Sequence, residues 1–340
     1  MRNPILVCVL MVLLVSACTL PDSNTPPSNN NTVPIPPEQA ADRPLLYIGI
    51  MVHLEGWGDD TSQEKFEGHA HWVRTYASLF ETYGAVLTLE SRELTDGSIR
   101  WGDNVLLEMQ QRGHGVGVHA DIGGQLNYDC SRFAEDLRTE KEQLESLGVE
   151  VRHVSGITSH CDWVTAAVEA GFEFTTGMVA YSVMSLPEEL RPEEYRNCPN
   201  PGACHQTFPT ELADRIHPWR VNSGLDWLTP DPGGEFVLLS ASGLLTCRQE
   251  ALTSPESFTT CEFTEEDITA AQVQLEEALA LADPGKINIL YYSWSLGGPL
   301  DETLLADWLE SLEPYVVSGQ VAWASLPEMY DAFLTWEAGQ

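Results

Sequence analysis

Lysine is nearly missing from this 340-residue chain. Only Lys65, Lys141 and Lys286 occur, and Lys and Arg together number 17 against 51 Asp and Glu, for a formal net charge of −34. Such a surface repels phosphate backbones and anionic headgroups, which argues against nucleic acid and acidic lipid as partners and disfavours a polyanionic substrate. A saline habitat and a generally solvated acidic surface both account for the charge. No G-x-G-x-x-G or P-loop follows a strand-like run, so the sequence offers no nucleotide cradle. Gly-x-Ser-x-Gly is absent, against a serine α/β-hydrolase. Cys-x-x-Cys is absent as well, against a structural zinc knuckle. Beyond the first residues, no hydrophobic run approaches membrane-spanning length.

The start of the chain carries an address. Arg2 supplies a positive end, Ile5 to Val15 an apolar stretch too short to span a bilayer, and Val15-Ser16-Ala17-Cys18 the small residues and cysteine of a bacterial lipobox. Residues 1–17 are therefore expected to be a signal peptide, with cleavage before Cys18 and lipidation of its thiol. An ordinary signal peptide that happens to carry a cysteine is the alternative. Residues 18–44, rich in Pro, Asn and Ser, cannot bury a core and read as a tether. The expected location is the cell envelope, on the outer face of a membrane and held there by lipid alone. Six cysteines remain: Cys130, Cys161, Cys198, Cys204, Cys247 and Cys261. Outside the cytoplasm they read as disulfides with fifteen connectivities. Proximity favours Cys198–Cys204 and Cys247–Cys261, which leaves Cys130–Cys161.

From Leu45 onward strand and helix signals alternate. Leu45 to Val52 is an apolar run of buried-strand type, and Thr61-Ser62-Gln63-Glu64 has the form of a helix capping box. Apolar residues at helical spacing, stopped by glycines, separate further short strands ending near Glu90, His119, Gly156 and Thr176. The alternation breaks over about 186–235, a Pro-, Gly- and Trp-rich insertion, and then resumes to the end, with Pro327 in a first helical turn. Residues 45–340 thus predict an α/β fold: an irregular (β/α) barrel of seven or eight strands, single-domain, with a long disulfide-tied insertion. An open doubly wound sheet is the alternative.

In such a barrel, chemistry gathers at the carboxyl ends of the strands. His53 and Glu55 end the first strand, Glu90 the second, and His119 with Asp121 the third. Imidazole and carboxylate donors suit Zn²⁺ and similar divalent ions. Residues two apart on a strand share a face, so His53, Glu55 and His119 are the expected ligands, and Glu90 or Asp121 the general base. Glu55 is also a catalytic candidate in its own right: paired with Glu90, it could instead serve a metal-independent glycosidase. Trp57, His160, Trp219 and Trp294 are candidate substrate contacts. His114, at the start of its strand, reads as structural.

Three segments resemble the polysaccharide deacetylase family (carbohydrate esterase family 4) of the glycoside hydrolase/deacetylase barrel superfamily. They are Arg112-Gly113-His114-Gly115-Val116-Gly117-Val118-His119, Asp162-Trp163-Val164 leading to Glu169-Ala170-Gly171-Phe172, and Val321 to Glu328. The resemblance implies a distorted barrel and a zinc-dependent N- or O-deacetylase with an Asp-His-His metal set. The chain departs from that pattern at several motifs. His53-Leu54-Glu55 stands where the family has two adjacent aspartates, and Gly123 where it has a second histidine. Val154-Ser155-Gly156-Ile157-Thr158 replaces its arginine segment, and Tyr292-Ser293-Trp294 its late histidine motif. Only His119 transfers residue for residue. The expected protein is a monomeric, lipid-anchored, metal-dependent hydrolase of cell-envelope or extracellular polysaccharide. A non-catalytic glycan-binding lipoprotein on the same barrel is the rival from another class.

Overall fold

The computed structural model describes residues 44–54, 58–123, 127–157, 159–177, 180–193, 196, 215–239, 242–245, 263–295 and 300–340. The signal peptide, Cys18, nearly all of the tether, Glu55, Trp57, Cys198, Cys204, Cys247 and Cys261 lie outside the described residues.

Five consecutive strands run parallel and side by side: β1 (Leu46–Leu54), β2 (Leu87–Ser91), β3 (Gly115–His119), β4 (His153–Ser155) and β5 (Phe174–Thr175). Their near-continuous apolar composition follows from burial on both faces; every residue of β2 and β3 is buried. On the far side of β1 lies β9 (Asn288–Ser295), also parallel. The ring is completed by one stretch of chain that changes partners. Within it, β7 (Phe236–Leu238) pairs with β5, whereas β8 (Ser242–Leu244) pairs with β9. Counting β7 and β8 as a single stave gives a seven-stave parallel barrel, in line with the sequence expectation. Two short strands are additions. β6 (Trp219–Val221) runs antiparallel along β7, and β10 (Val321–Trp323) pairs with the first residues of β1. The end of the predicted insertion is therefore part of the sheet and not a separate loop region.

Helices cover the barrel: α1 (Gln63–Thr82), α2 (Glu93–Trp101), α3 (Val105–Gln111), α4 (Phe133–Ser146), α5 (Trp163–Glu169), α6 (Glu265–Leu281), α7 (Glu302–Val317) and α8 (Leu326–Ala338). Ser62 caps α1 by accepting the Lys65 N–H, one residue later than the Thr61–Glu64 capping box that the sequence suggested. α3 is capped by Asn104, and the carboxylate of the neighbouring Asp103 is engaged by Arg74.

The last helix closes one end. Ser325 and Glu328 form a reciprocal capping box that starts α8, and Leu326, Met329, Tyr330 and Phe333 are buried on its inner side. Leu326 N–H donates to Thr88 Oγ1 near the start of β2, and Tyr330 stacks on Phe174 with ring centroids 4.6 Å apart. Each such buried side chain contributes about 1.5–3 kcal/mol. The start end of the barrel is thereby plugged, which leaves the carboxyl ends as the place for a site.

Candidate metal centre

Register decides which side chains meet inside. His53 lies beside Glu90, Glu90 beside Gly117, and His153 beside Phe174. With Val118 beside Val154, Gly117 falls level with His153. Equivalent positions of neighbouring parallel strands face the same way, so these residues form one inward layer. His119 beside Ser155, two residues further along, forms the next layer toward the carboxyl ends. Thr176, two past Phe174, belongs to that second layer.

Three of these side chains converge. His53, Glu90 and His119 each offer one ligand-type atom, all within 4.8 Å of one another. The two imidazoles lie together, with ring centroids 4.2 Å apart. Nδ1 of His119 is hydrogen-bonded to Ser155 Oγ at 2.7 Å, which fixes the ring's orientation. His53 Nε2 stands 3.1 Å from Glu90 Oε2, yet the two lack hydrogen-bond alignment, and both atoms are buried without any hydrogen-bond partner. Buried polar atoms are normally satisfied, so a nitrogen and an oxygen left bare side by side need a third partner. Two nitrogens and one carboxylate oxygen are a donor set that suits Zn²⁺ or a similar cation, and these residues fit such an ion.

Glu90 is wholly buried. Burial is the largest single influence on its carboxyl and pushes the pKa up. The adjacent His153 and His53 together outweigh it and hold Glu90 well below the usual carboxylate range. The remaining oxygen, Oε1, accepts a hydrogen bond from the Thr176 hydroxyl and lies 3.3 Å from His153 Nε2.

The other residues singled out in the sequence fall elsewhere. Asp121 is exposed just past β3, the one described non-glycine residue with positive φ (46°). Its backbone and the His119 ring both crowd Gly156, so it stands at the rim near the group but outside it. His160 sits against a disulfide, its Nε2 3.5 Å from Cys130 Sγ and 3.9 Å from Cys161 Sγ. That bond is the pairing the cysteine count left over, and it joins the loops that follow β3 and β4. Because both sulfurs are spent in it, the Cys130–His160–Cys161 cluster is not a thiolate metal site. One tryptophan needs correction. Trp294 is only 1 % exposed and packs edge-on against Tyr76 of α1, on the outer face of β9, so it belongs to the core. Trp219 lies in β6 with its indole N–H donated to the Trp227 carbonyl. His114 is structural as expected, its Nδ1 accepting from Leu87 N–H and its Nε2 3.1 Å from Glu81.

His153 and Thr176 were not anticipated. The signal was present: His153 precedes Ser155 by two, as Gly117 precedes His119, so both belong on the inward face.

The class defined by this fold is the irregular parallel (β/α) barrel. No family profile matches the chain, and no curated protein sequence matches it. Solved structures do. A protein from Mycobacterium smegmatis assigned as a polysaccharide deacetylase superposes with a TM-score of 0.55 at 13 % identity, over 86 % of this chain and 92 % of its own. The allantoinase Puue gives 0.55 at 13 % identity, over 85 % and 90 %. A Pseudomonas aeruginosa PAO1 protein, also assigned as a polysaccharide deacetylase, gives 0.53 at 12 % identity, over 86 % and 91 %. At these identities the likeness establishes the fold.

Proposed function

We propose that the chain is a lipid-anchored, extracytoplasmic, metal-dependent hydrolase that removes acyl groups from carbohydrate. The observation that carries this reading is the convergence of His53, Glu90 and His119 in the barrel, with two buried polar atoms left bare between them. The deacetylase assignments of two structural neighbours support the choice of acyl transfer to water. The disulfide supports the address, since such bonds persist outside the reducing cytoplasm.

His53, Glu90 and His119 would hold the cation. When bound, a divalent ion supplies Lewis acidity toward an ester or amide carbonyl. Ionised Glu90 offsets part of the cation's charge and Ser155 orients His119, as hydrogen-bonded outer partners do at metal sites. With Glu90 committed to the ligand set, the general base falls to a rim carboxylate. Asp121 is the described candidate, and Glu55, which follows β1 in the sequence and lies outside the described residues, is the other. In the glycosidase alternative Glu90, fully buried and held below the usual carboxylate range, would serve as the unprotonated carboxylate of the pair and leave the acid role to Glu55.

The test is metal content together with acetate release from acetylated chitin and xylan oligomers by the purified full chain. Wild type should bind about one ion and release acetate, and His119→Ala should lose both. A wild type that binds no metal, or that binds the glycans without turnover, overturns the reading.

A further inference from the structure

We infer that Thr176 and His153 are positioning residues that clamp Oε1 of Glu90, so that Glu90 presents Oε2 alone to the ion. This deepens the metal reading above and depends on it. The two carboxylate oxygens have different surroundings. Oε1 is approached from the barrel interior by the Thr176 hydroxyl, which donates to it, and by His153 Nε2 at 3.3 Å. Oε2 faces His53 and accepts no hydrogen bond. Glu90 and both clamp residues are buried, with exposures of 0 % for Glu90, 0 % for His153 and 2 % for Thr176.

His153 reaches Glu90 from two strands away. The intervening strand is crossed at Gly117, where a Cβ would overlap the His153 ring. The ring is also fixed in plane, since it stacks on Phe174 at 4.8 Å and 16°, and Phe174 stacks in turn on Tyr330 of the plugging helix. Neither of its nitrogens makes an aligned hydrogen bond, and the Nε2 approach to Glu90 Oε1 is its one close polar contact among the described residues. An imidazole buried in that state costs more than an apolar ring of similar shape. Packing alone therefore does not account for a histidine here, whereas support of a buried carboxylate does. A carboxylate whose Oε1 is engaged in this way would offer its other oxygen, Oε2, to an ion.

The experiment measures Zn²⁺ affinity of the purified full chain by competition with a chromophoric chelator, and the visible spectrum of the Co²⁺-loaded protein. The variants are Thr176→Val, Thr176→Ser and His153→Phe, with His119→Ala as the ligand control. Thr176→Val keeps the shape and removes the donor. It should weaken Zn²⁺ binding by about 10–100-fold, as loss of an outer partner does, and shift the Co²⁺ bands, while the metal-free protein still melts cooperatively at a somewhat lower temperature for the lost buried hydrogen bond. His153→Phe should act in the same direction, and Thr176→Ser, which keeps the hydroxyl, should restore wild-type affinity. If His119→Ala loses the metal but Thr176→Val and His153→Phe bind as wild type does, the clamp is wrong and the metal centre stands. If wild type binds nothing, both fall. Should His153→Phe fail to fold, the Thr176 pair decides alone.

Discussion

Glu90 Oε2 and His53 Nε2 stand 3.1 Å apart inside the barrel, both buried and neither hydrogen-bonded. A cation that binds only the folded chain stabilises it by mass action, by about 2.7 kcal/mol at one hundred times the dissociation constant. Thermal melts of the purified chain should therefore shift upward by several degrees with Zn²⁺ and return with chelator. Glu90→Gln removes the anion that faces the cation, and its melting point should be insensitive to both additions. An equal Zn²⁺ shift in Glu90→Gln would place the ion elsewhere.

Gly117 is required by its neighbour and not by its own backbone. Its Cβ position is occupied by the His153 ring, so Gly117→Ala must displace a side chain that Phe174 holds from the other side. Overpacking of this kind costs about 1–3 kcal/mol, visible as a lower denaturant midpoint. Combining it with His153→Ala removes the clash. The double variant should then be more stable than the sum of the two single effects predicts, which is the coupling expected of touching residues.

These two relationships show how far the sequence could be read. The barrel was legible because each strand is a short apolar run and each helix has its own cap or glycine stop, and both are local properties. His53, Glu90 and His119 were legible as polar residues at strand ends, but their grouping was not. Two residues apart on β1 suggested His53 with Glu55, whereas inter-strand register puts Glu90 beside His53. His153 stands first in its strand and lay hidden because its partner is two strands away, reached across a glycine. Trp294 was misjudged because alternation along β9 turns it outward onto Tyr76. The partner change between β7 and β8 depends on three-dimensional closure and leaves no local mark.

The Cys130–Cys161 bond closes a loop of sequence separation 31 and ties the segments following His119 and Ser155. Chain-entropy arguments give such a cross-link about 3–4 kcal/mol. The Cys130→Ser/Cys161→Ser protein should unfold at correspondingly lower denaturant than wild type under oxidising conditions. If the two chains unfold at the same midpoint under oxidising conditions, the loops are held by their backbone hydrogen bonds alone, such as Ala120 N–H to Ser155 O and Ile122 N–H to Gly156 O.

Away from the metal group, His114 makes stability depend on pH. Its Nδ1 accepts the Leu87 N–H, so the folded protein needs that nitrogen unprotonated. Burial is the main cause that lowers its pKa below the ordinary 6.5. Arg112 adds to it, against an upward pull from Glu81. The unfolded chain therefore takes up the proton first as pH falls. The stabilisation is complete above about pH 6.5 and is lost as pH drops toward the folded pKa, at no more than about 1.4 kcal/mol per pH unit. Denaturant midpoints measured between pH 7.5 and 5.5 should fall in wild type. His114→Asn keeps an acceptor for Leu87 and cannot titrate, so its curve should be lower throughout, through loss of the Glu81 contact, but flatter across that window. A variant curve parallel to wild type would assign the pH dependence to another group.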